Sequence, residues 1–217
     1  MNIIDSSSLN KTFAQNDSGF INLPLFKVKP VKYQIKKTEI ENIVFQSRNS
    51  VKFFEDFDCL QGKRVFAMGE GTSLSLKEMG VSSIVANKPG SAGLIEFLKL
   101  NNYDANTLIV KGKHGLNIVR DKLERMGHKV IEAECYEREK LSSYTKLKSD
   151  YAAADAIVFT SCFSVQIYLE ELHASDSKAK LFGISKRICD YAKGIGLQII
   201  EINYFSEDLK EEIVRAI

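Results

Sequence analysis

A chain of 217 residues, 44 % hydrophobic and 27 % charged, has the make-up of a globular protein with a real core, in one large domain or two small ones. Its formal net charge of +2 speaks against a nucleic-acid binder, which normally carries a strong basic patch. No apolar run approaches the roughly 18 residues needed to span a bilayer, and Met1-Asn2-Ile3-Ile4-Asp5 lacks the regions of a secretory signal. A cytoplasmic protein without membrane or nucleic-acid partners is therefore expected. Cys59, Cys135, Cys162 and Cys189 form no Cys-x-x-Cys pair and read as reduced, mostly buried thiols. His114, His128 and His173 are too few and too far apart for a metal cage, so neither metal nor cofactor is expected.

Along the chain, residues 1–4 and 21–28 read as extended. Short apolar strands then alternate with helical stretches: strands at 43–45, 64–68, 84–86, 107–110 and 130–133, helices at 50–57, 73–79, 92–100 and 116–126. In the last of these, Leu116, Ile118, Val119, Leu123 and Met126 fall close to helical spacing. A polar, helical-looking segment at 140–153 carries Tyr144 and Tyr151. The alternation resumes with strands at 157–160, 180–184 and 198–202 and helices at 164–172, 187–193 and 207–216. This is the pattern of βαβ units around parallel sheets.

The phrase Ile43-Val44-Phe45-Gln46-Ser47-Arg48-Asn49-Ser50-Val51 returns 114 residues later as Ile157-Val158-Phe159-Thr160-Ser161-Cys162-Phe163-Ser164-Val165, identical at six of nine positions. Phe66 and Gly80 pair with Phe182 and Gly196 at an offset of 116, and Ser91-x-x-Leu94 pairs with Ser206-x-x-Leu209 at 115. A repeat of this kind reports a duplicated α/β unit. The second half has fewer strands than the first, and the N-terminal extended segments would supply the missing ones. The expected fold is thus two similar α/β lobes with parallel sheets. One is discontinuous, residues 1–30 plus 139–217, and the other spans 31–136, with chain crossings near 30–33 and 136–139 forming a two-stranded hinge. Two lobes imply a cleft between them, a favoured place for a ligand.

In each repeat a strand ends at a serine (Ser47, Ser161), and Ser50 or Ser164 follows before an apolar helix. Taken singly, such serines are helix caps. Two such turns at one cleft would also suit carboxylates or phosphates, which helix starts bind through spare N–H groups. Gly69-Glu70-Gly71-Thr72 lacks the third glycine and acidic partner of a dinucleotide fingerprint, so it reads as a tight turn with Thr72 as a hydroxyl or cap. Lys111-Gly112-Lys113-His114-Gly115 fails the phosphate-loop spacing and puts two ammonium groups at a strand end, where solvated loop charges are the commoner case. Tyr136 follows Glu132-Ala133-Glu134-Cys135; an aromatic there is usually a packing residue, though its phenol is able to donate a hydrogen bond into the cleft. Cys162 reads as structural, and no nucleophile-base pairing or paired-carboxylate motif stands out.

The order of these landmarks resembles the uroporphyrinogen-III synthase family. The resemblance runs from Pro24-Leu25-Phe26-Lys27-Val28-Lys29-Pro30 through 43–51, 65–72, Ser91-x-x-Leu94, Leu108-Ile109-Val110-Lys111-Gly112 and 130–137, then 157–165 and 182–196, covering about residues 20–217. The chain departs from the family pattern at Asp5-Ser6-Ser7-Ser8, where an Arg-Pro and a longer first helix are usual. It departs again at Gln46, at Lys111 in place of an Arg, and at Ser185-Lys186-Arg187-Ile188, where a Thr is expected. The resemblance implies conversion of hydroxymethylbilane to uroporphyrinogen III with loss of water and inversion of ring D. That chemistry needs orientation more than covalent catalysis, because the pyrroles themselves supply most of the driving force. It implies Tyr136 as a hydrogen-bond donor to the departing hydroxyl. It further implies substrate contacts from Ser47, Arg48, Asn49, Thr72, Ser91, Lys111, Gly112, Thr160, Ser161, Ser164, Ser185 and Lys186. The implied partner is a linear tetrapyrrole polycarboxylate, with transient contact to the preceding enzyme of the pathway, and the protein is expected to be a monomer. A bilobal binding or regulatory protein for a small polyanion would share this fold, and a nucleotide-dependent transferase is disfavoured by the failed glycine spacings.

Overall fold

The computed structural model describes residues 1–8, 20–35, 40–88, 90–103 and 105–217. In chain order its elements are β1 (Ile3–Asp5), β2 (Phe20–Asn22), β3 (Phe26–Pro30), β4 (Asn42–Phe45), α1 (Arg48–Phe53), β5 (Arg64–Ala67), α2 (Glu70–Glu78), β6 (Ile84–Val85), α3 (Gly90–Leu100) and β7 (Thr107–Gly112). There follow α4 (Ile118–Arg125), β8 (Val130–Lys140), α5 (Lys148–Ala152), β9 (Ala156–Phe159), α6 (Cys162–Glu171), β10 (Lys180–Gly183), α7 (Lys186–Gly194), β11 (Ile200–Glu201) and α8 (Leu209–Ala216). Two compact units result, Met1–Lys27 with Glu139–Ile217, and Val28–Arg138.

The continuous unit is built on a six-stranded sheet in the order β3-β8-β7-β4-β5-β6. Its β4–β5, β4–β7, β5–β6 and β7–β8 pairings are parallel. Side chains of a strand point alternately to the two faces, so a strand covered on both sides must be apolar throughout. Ile43 and Phe45 of β4 and Leu108 and Val110 of β7 join Val51 of α1 and Leu76 of α2 in one core. Val44 and Ile109, between them in sequence, join Leu94 and Leu98 of α3 and Val119 and Leu123 of α4 in the other. Helices therefore cover both faces of the sheet.

The discontinuous unit holds a five-stranded sheet, β11-β10-β9-β1-β2, whose pairings are all parallel. The N-terminal strand β1 lies between β2 and β9, with Asp5 opposite Val158. One face packs Ile3, Val158 and Phe182 against Ile202, Tyr204, Leu209 and Ile213. Tyr151 and Phe159 pack at a tilt around Tyr168 with ring centroids 6.0 and 5.3 Å away. The architecture is α/β with two parallel-stranded sheets, as the alternation of elements predicts.

Several elements differ in extent from the sequence expectation. Helix α1 starts at Arg48, because Ser47 and not Ser50 is its cap, and it stops at Phe53 before a 3-10 turn at Phe57–Leu60. The extended stretch at 21–28 breaks at Pro24 into β2 and β3, which belong to different sheets. The helical-looking 140–153 is mostly not helix. β8 continues to Lys140, and α5 is a short piece at Lys148–Ala152. Between them, Leu141 N–H donates to Tyr144 Oη (3.1 Å), Tyr144 Oη donates to the Leu25 carbonyl (2.9 Å), and Thr145 N–H donates to Ser143 Oγ (3.3 Å). Such side-chain bonds compete with helix formation. The segment after Ser8, where the resemblance leads one to expect a longer first helix, lies outside the described residues.

Candidate active site

Parallel α/β sheets gather their ligand-binding groups at the carboxyl ends of the strands, where helices begin. In the continuous unit that edge carries Ser47 after β4, Gly69 to Thr72 after β5, Lys111 and Gly112 at the end of β7, and Tyr136 late in β8. Ser91 lies in the first turn of α3, half-buried. Arg48 and Asn49 open α1, the first partly exposed and the second buried. Thr72 is buried in the first turn of α2, whose N-cap is Gly69, and its N–H donates to the Gly69 carbonyl at 3.1 Å.

Ser47 caps α1 in a reciprocal box. Ser50 N–H donates to Ser47 Oγ (3.1 Å), Ser47 N–H donates to Ser50 Oγ (3.1 Å), and Ser50 Oγ donates to the Ser47 carbonyl (2.6 Å). The hydroxyl of Tyr136 stands 2.9 Å from Ser47 Oγ, although the two residues are 89 apart in sequence. Tyr136 is only 3 % exposed, and its carbonyl accepts from Lys113 N–H at 2.7 Å. Its ring lies directly on Gly112, where a Cβ would come within 2.5 Å of Cζ and 2.9 Å of Oη. Gly112 is thus required for room, and Phe53 closes another side with ring centroids 6.1 Å apart. Next to Tyr136, Cys135 is buried and its thiol is pushed up to about 12 by desolvation.

Lys111 is the residue whose placement corrects the expectation of an exposed ammonium. Its side chain is 1 % exposed, and Nζ donates to Glu132 Oε1 (2.9 Å) and Asn117 Oδ1 (2.5 Å). A buried ammonium is tolerated only when paired and hydrogen-bonded, and these two acceptors meet that need. Arg120 reaches the other oxygen of Glu132 at 3.3 Å and Asp121 at 2.9 Å. Asn117 sits at the N-cap of α4 without a side-chain cap bond, its Oδ1 taken by Lys111, and α4 begins only at Ile118. Lys113, by contrast, is exposed and stands 3.7 Å from Glu137.

The discontinuous unit repeats the capped turn. Ser164 N–H donates to Ser161 Oγ (3.1 Å) and Ser164 Oγ donates to the Ser161 carbonyl (2.7 Å), the geometry of Ser47 and Ser50 over again. Here the capping hydroxyl meets Ser164 Oγ at 3.1 Å, where Ser47 meets a phenol. Thr160 is half-buried just before it. Ser185 caps α7 in extended backbone without a side-chain cap bond, and Lys186 is exposed as the first helical residue.

Asp5, Tyr204, Asn117 and Glu132 had no part in the sequence reading of the site. Asp5, at the carboxyl end of β1, is buried and accepts from Tyr204 Oη (2.7 Å) and from Ser7 N–H (2.8 Å). The available signal was an acid closing an apolar strand, since a buried carboxylate requires donors. Glu132, an acid within β8 beside the strand that carries Lys111, gave the same hint.

Among the described residues, no three or more His, Cys, Asp or Glu side chains gather as a metal site, and no helix is long and apolar enough to cross a membrane. No curated protein matches the chain in sequence. A solved uroporphyrinogen-III synthetase from Helicobacter pylori 26695 shares its fold at a TM-score of 0.71 and 15 % identity, over 99 % of this chain and 98 % of that one. A mutant uroporphyrinogen III synthase from the extreme thermophile Thermus thermophilus does so at 0.62 and 14 %, again over 99 % and 98 %. The family profile described as uroporphyrinogen-III synthase HemD matches residues 7–208. With that match spanning nearly the whole sequence, and with the duplicated capped turns in place, the chain belongs to the uroporphyrinogen-III synthase family.

Proposed function

We propose that the protein acts as a uroporphyrinogen-III synthase, a lyase of tetrapyrrole biosynthesis that closes hydroxymethylbilane into uroporphyrinogen III and releases one water. The family match over residues 7–208 is the observation that carries this reading. In the reaction the terminal carbon–oxygen bond breaks, the electron pair leaves with the hydroxyl, and the pyrrole nitrogen stabilises the resulting azafulvene. The substituted α-carbon of ring D attacks to form a spiro intermediate, which fragments and recloses through the free α-carbon. The proton lost at that last closure balances the hydroxide as water.

In this reading Tyr136 donates a hydrogen bond to the departing hydroxyl, where negative charge develops. The carboxylates of the substrate meet short polar side chains and backbone N–H groups at the helix starts, at Arg48 and Asn49, Thr72, Ser91, Thr160 to Ser164, and Ser185 to Lys186. Gly112 serves by admitting the phenol. Lys111 acts on the fold beneath the site, because its ammonium is already committed to Glu132 and Asn117. The reading carries with it a single-chain enzyme of the cytoplasm, in transient contact with the enzyme that makes its substrate.

The test is to supply the purified protein with hydroxymethylbilane and resolve the product isomers. Type III product is expected, and only the spontaneous type I isomer would overturn the proposal. Tyr136→Phe is expected to lower kcat more than it raises KM, and an unchanged kcat would remove Tyr136 from its role.

A further inference from the structure

We infer that Ser47 is a positioning residue for Tyr136: it fixes which way the phenolic hydrogen points, and so makes the tyrosine a donor toward substrate. This rests on the reading of Tyr136 just given. Heavy-atom geometry alone allows either hydroxyl to donate across this contact, and the bonds around Ser47 favour the serine as donor. A serine hydroxyl has one hydrogen and two lone pairs. Ser47 Oγ accepts Ser50 N–H at 3.1 Å, so one lone pair is committed to capping α1. Ser50 Oγ sends its own hydrogen to the Ser47 carbonyl at 2.6 Å and accepts Ser47 N–H, which locks the turn around Ser47. Among the described residues, the acceptor offered to the Ser47 hydrogen is Tyr136 Oη, at 2.9 Å. With Ser47 donating, the phenolic hydrogen is turned away from Ser47 and is available to another acceptor.

The ring is packed beside this partner. Gly112 lies within what would be a Cβ clash on one side, Phe53 packs on another, and the Tyr136 carbonyl is tied to Lys113 N–H. Rotation of the hydroxyl hydrogen is a remaining freedom, and Ser47 governs it.

The repeat supplies an internal comparison. Ser161 and Ser164 reproduce the same cap, but there the capping hydroxyl is 3.1 Å from Ser164 Oγ, a contact that closes the cap upon itself. The two serines hold the same cap, and in the continuous unit the capping hydroxyl stands beside a phenol.

The test is a kinetic cycle on the intact chain with hydroxymethylbilane as the probe. Ser47→Ala is expected to lower kcat about ten-fold with KM within about two-fold, as misdirection of one group costs more in turnover than in binding. Ser47→Thr, which keeps the hydroxyl and remains a competent cap, is expected to restore most of the loss. In a Tyr136→Phe background the same Ser47→Ala change is expected to cost no further kcat. A loss that persists undiminished in that background, or one that falls entirely on KM, overturns the inference, as does failure of Ser47→Thr to rescue a stably folded enzyme. Thermal unfolding of each variant separates the cap's contribution to stability from the kinetic effect. A wild-type chain that makes only type I product overturns the proposed function and this inference together. An active wild type indifferent to Ser47→Ala overturns the inference alone.

Discussion

Gly112 and Tyr136 are in van der Waals contact across β7 and β8, so close that even one methyl group on Gly112 would overlap the phenol ring at 2.5 Å. The glycine backbone there is not in the left-handed region, so space rather than conformational freedom demands it. Gly112→Ala is expected to displace the ring and break the 2.9 Å contact with Ser47. Overpacking of this kind costs about 1–3 kcal/mol of stability. Turnover should fall to the level of Tyr136→Phe, and combining the two changes should bring little further loss. Product-isomer kinetics with denaturant unfolding check this. A fully active Gly112→Ala enzyme would show that the phenol position does not matter.

The buried Lys111–Glu132 pair makes an asymmetric prediction. Removing the lysine charge with Lys111→Met leaves Glu132 with Arg120 at 3.3 Å, so the loss should be about 1–2 kcal/mol. Glu132→Gln instead leaves an ammonium of 1 % exposure with Asn117 and a neutral amide, and breaking a buried pair from that side costs about 3–5 kcal/mol. KM for the bilane should stay near wild type in Lys111→Met. Urea titrations and steady-state kinetics decide the matter. A raised KM at unchanged stability would return Lys111 to the substrate.

The sequence made the sheets legible for a simple reason: strands buried on both faces must be apolar throughout, as Ile43-Val44-Phe45 and Ile157-Val158-Phe159 are. Their repetition, with the serines that follow, also exposed the duplicated caps, because a cap is a local event between residues three apart. The site was less legible wherever its geometry depends on partners distant in the chain. Ser47 and Tyr136 are 89 residues apart, and nothing local to either announces the contact. Lys111 looked like a loop cation because its acceptors, Asn117 and Glu132, come together only once β7, β8 and α4 are assembled. The polar stretch at 140–153 has helical composition, but Tyr144 spends its hydroxyl on Leu141 N–H and on the Leu25 carbonyl, 119 residues away, and holds the chain in a turn instead.

Cys135 yields a prediction in alkaline solution. Burial pushes its thiol up to about 12, above the ordinary thiol value, so the folded state holds the proton more tightly than the unfolded state does. The stabilisation this brings is complete below about pH 9 and is lost as pH rises toward 12. Between those limits a single such group lowers unfolding free energy by about 1.4 kcal/mol per pH unit. Cys135→Ala should therefore show a shallower decline of stability above pH 9 than wild type. Iodoacetamide at pH 8 should leave Cys135 unmodified in the native protein and label it after denaturation, as read by mass spectrometry. Rapid native labelling would contradict its burial.

Tyr204 ties the C-terminal segment to the first strand, because its hydroxyl donates to the buried Asp5 carboxylate at 2.7 Å across 199 residues of sequence. The ring belongs to the core that includes Ile3, Leu209 and Ile213, so α8 and β1 are joined by packing and by a charge-assisted bond. Tyr204→Phe keeps the packing and removes the bond. Ser7 N–H still donates to Asp5 at 2.8 Å, so the carboxylate retains a donor and the loss should be about 1–3 kcal/mol. Asp5→Asn should cost less in the Tyr204→Phe background than in the wild type, since the two changes remove one shared interaction. Amide exchange should also quicken in α8 before it does in β9, because the C-terminal helix loses its tether while the strand pairings stay intact. Additive stability losses, or exchange unchanged in α8, would show that packing alone holds the C-terminal segment against β1.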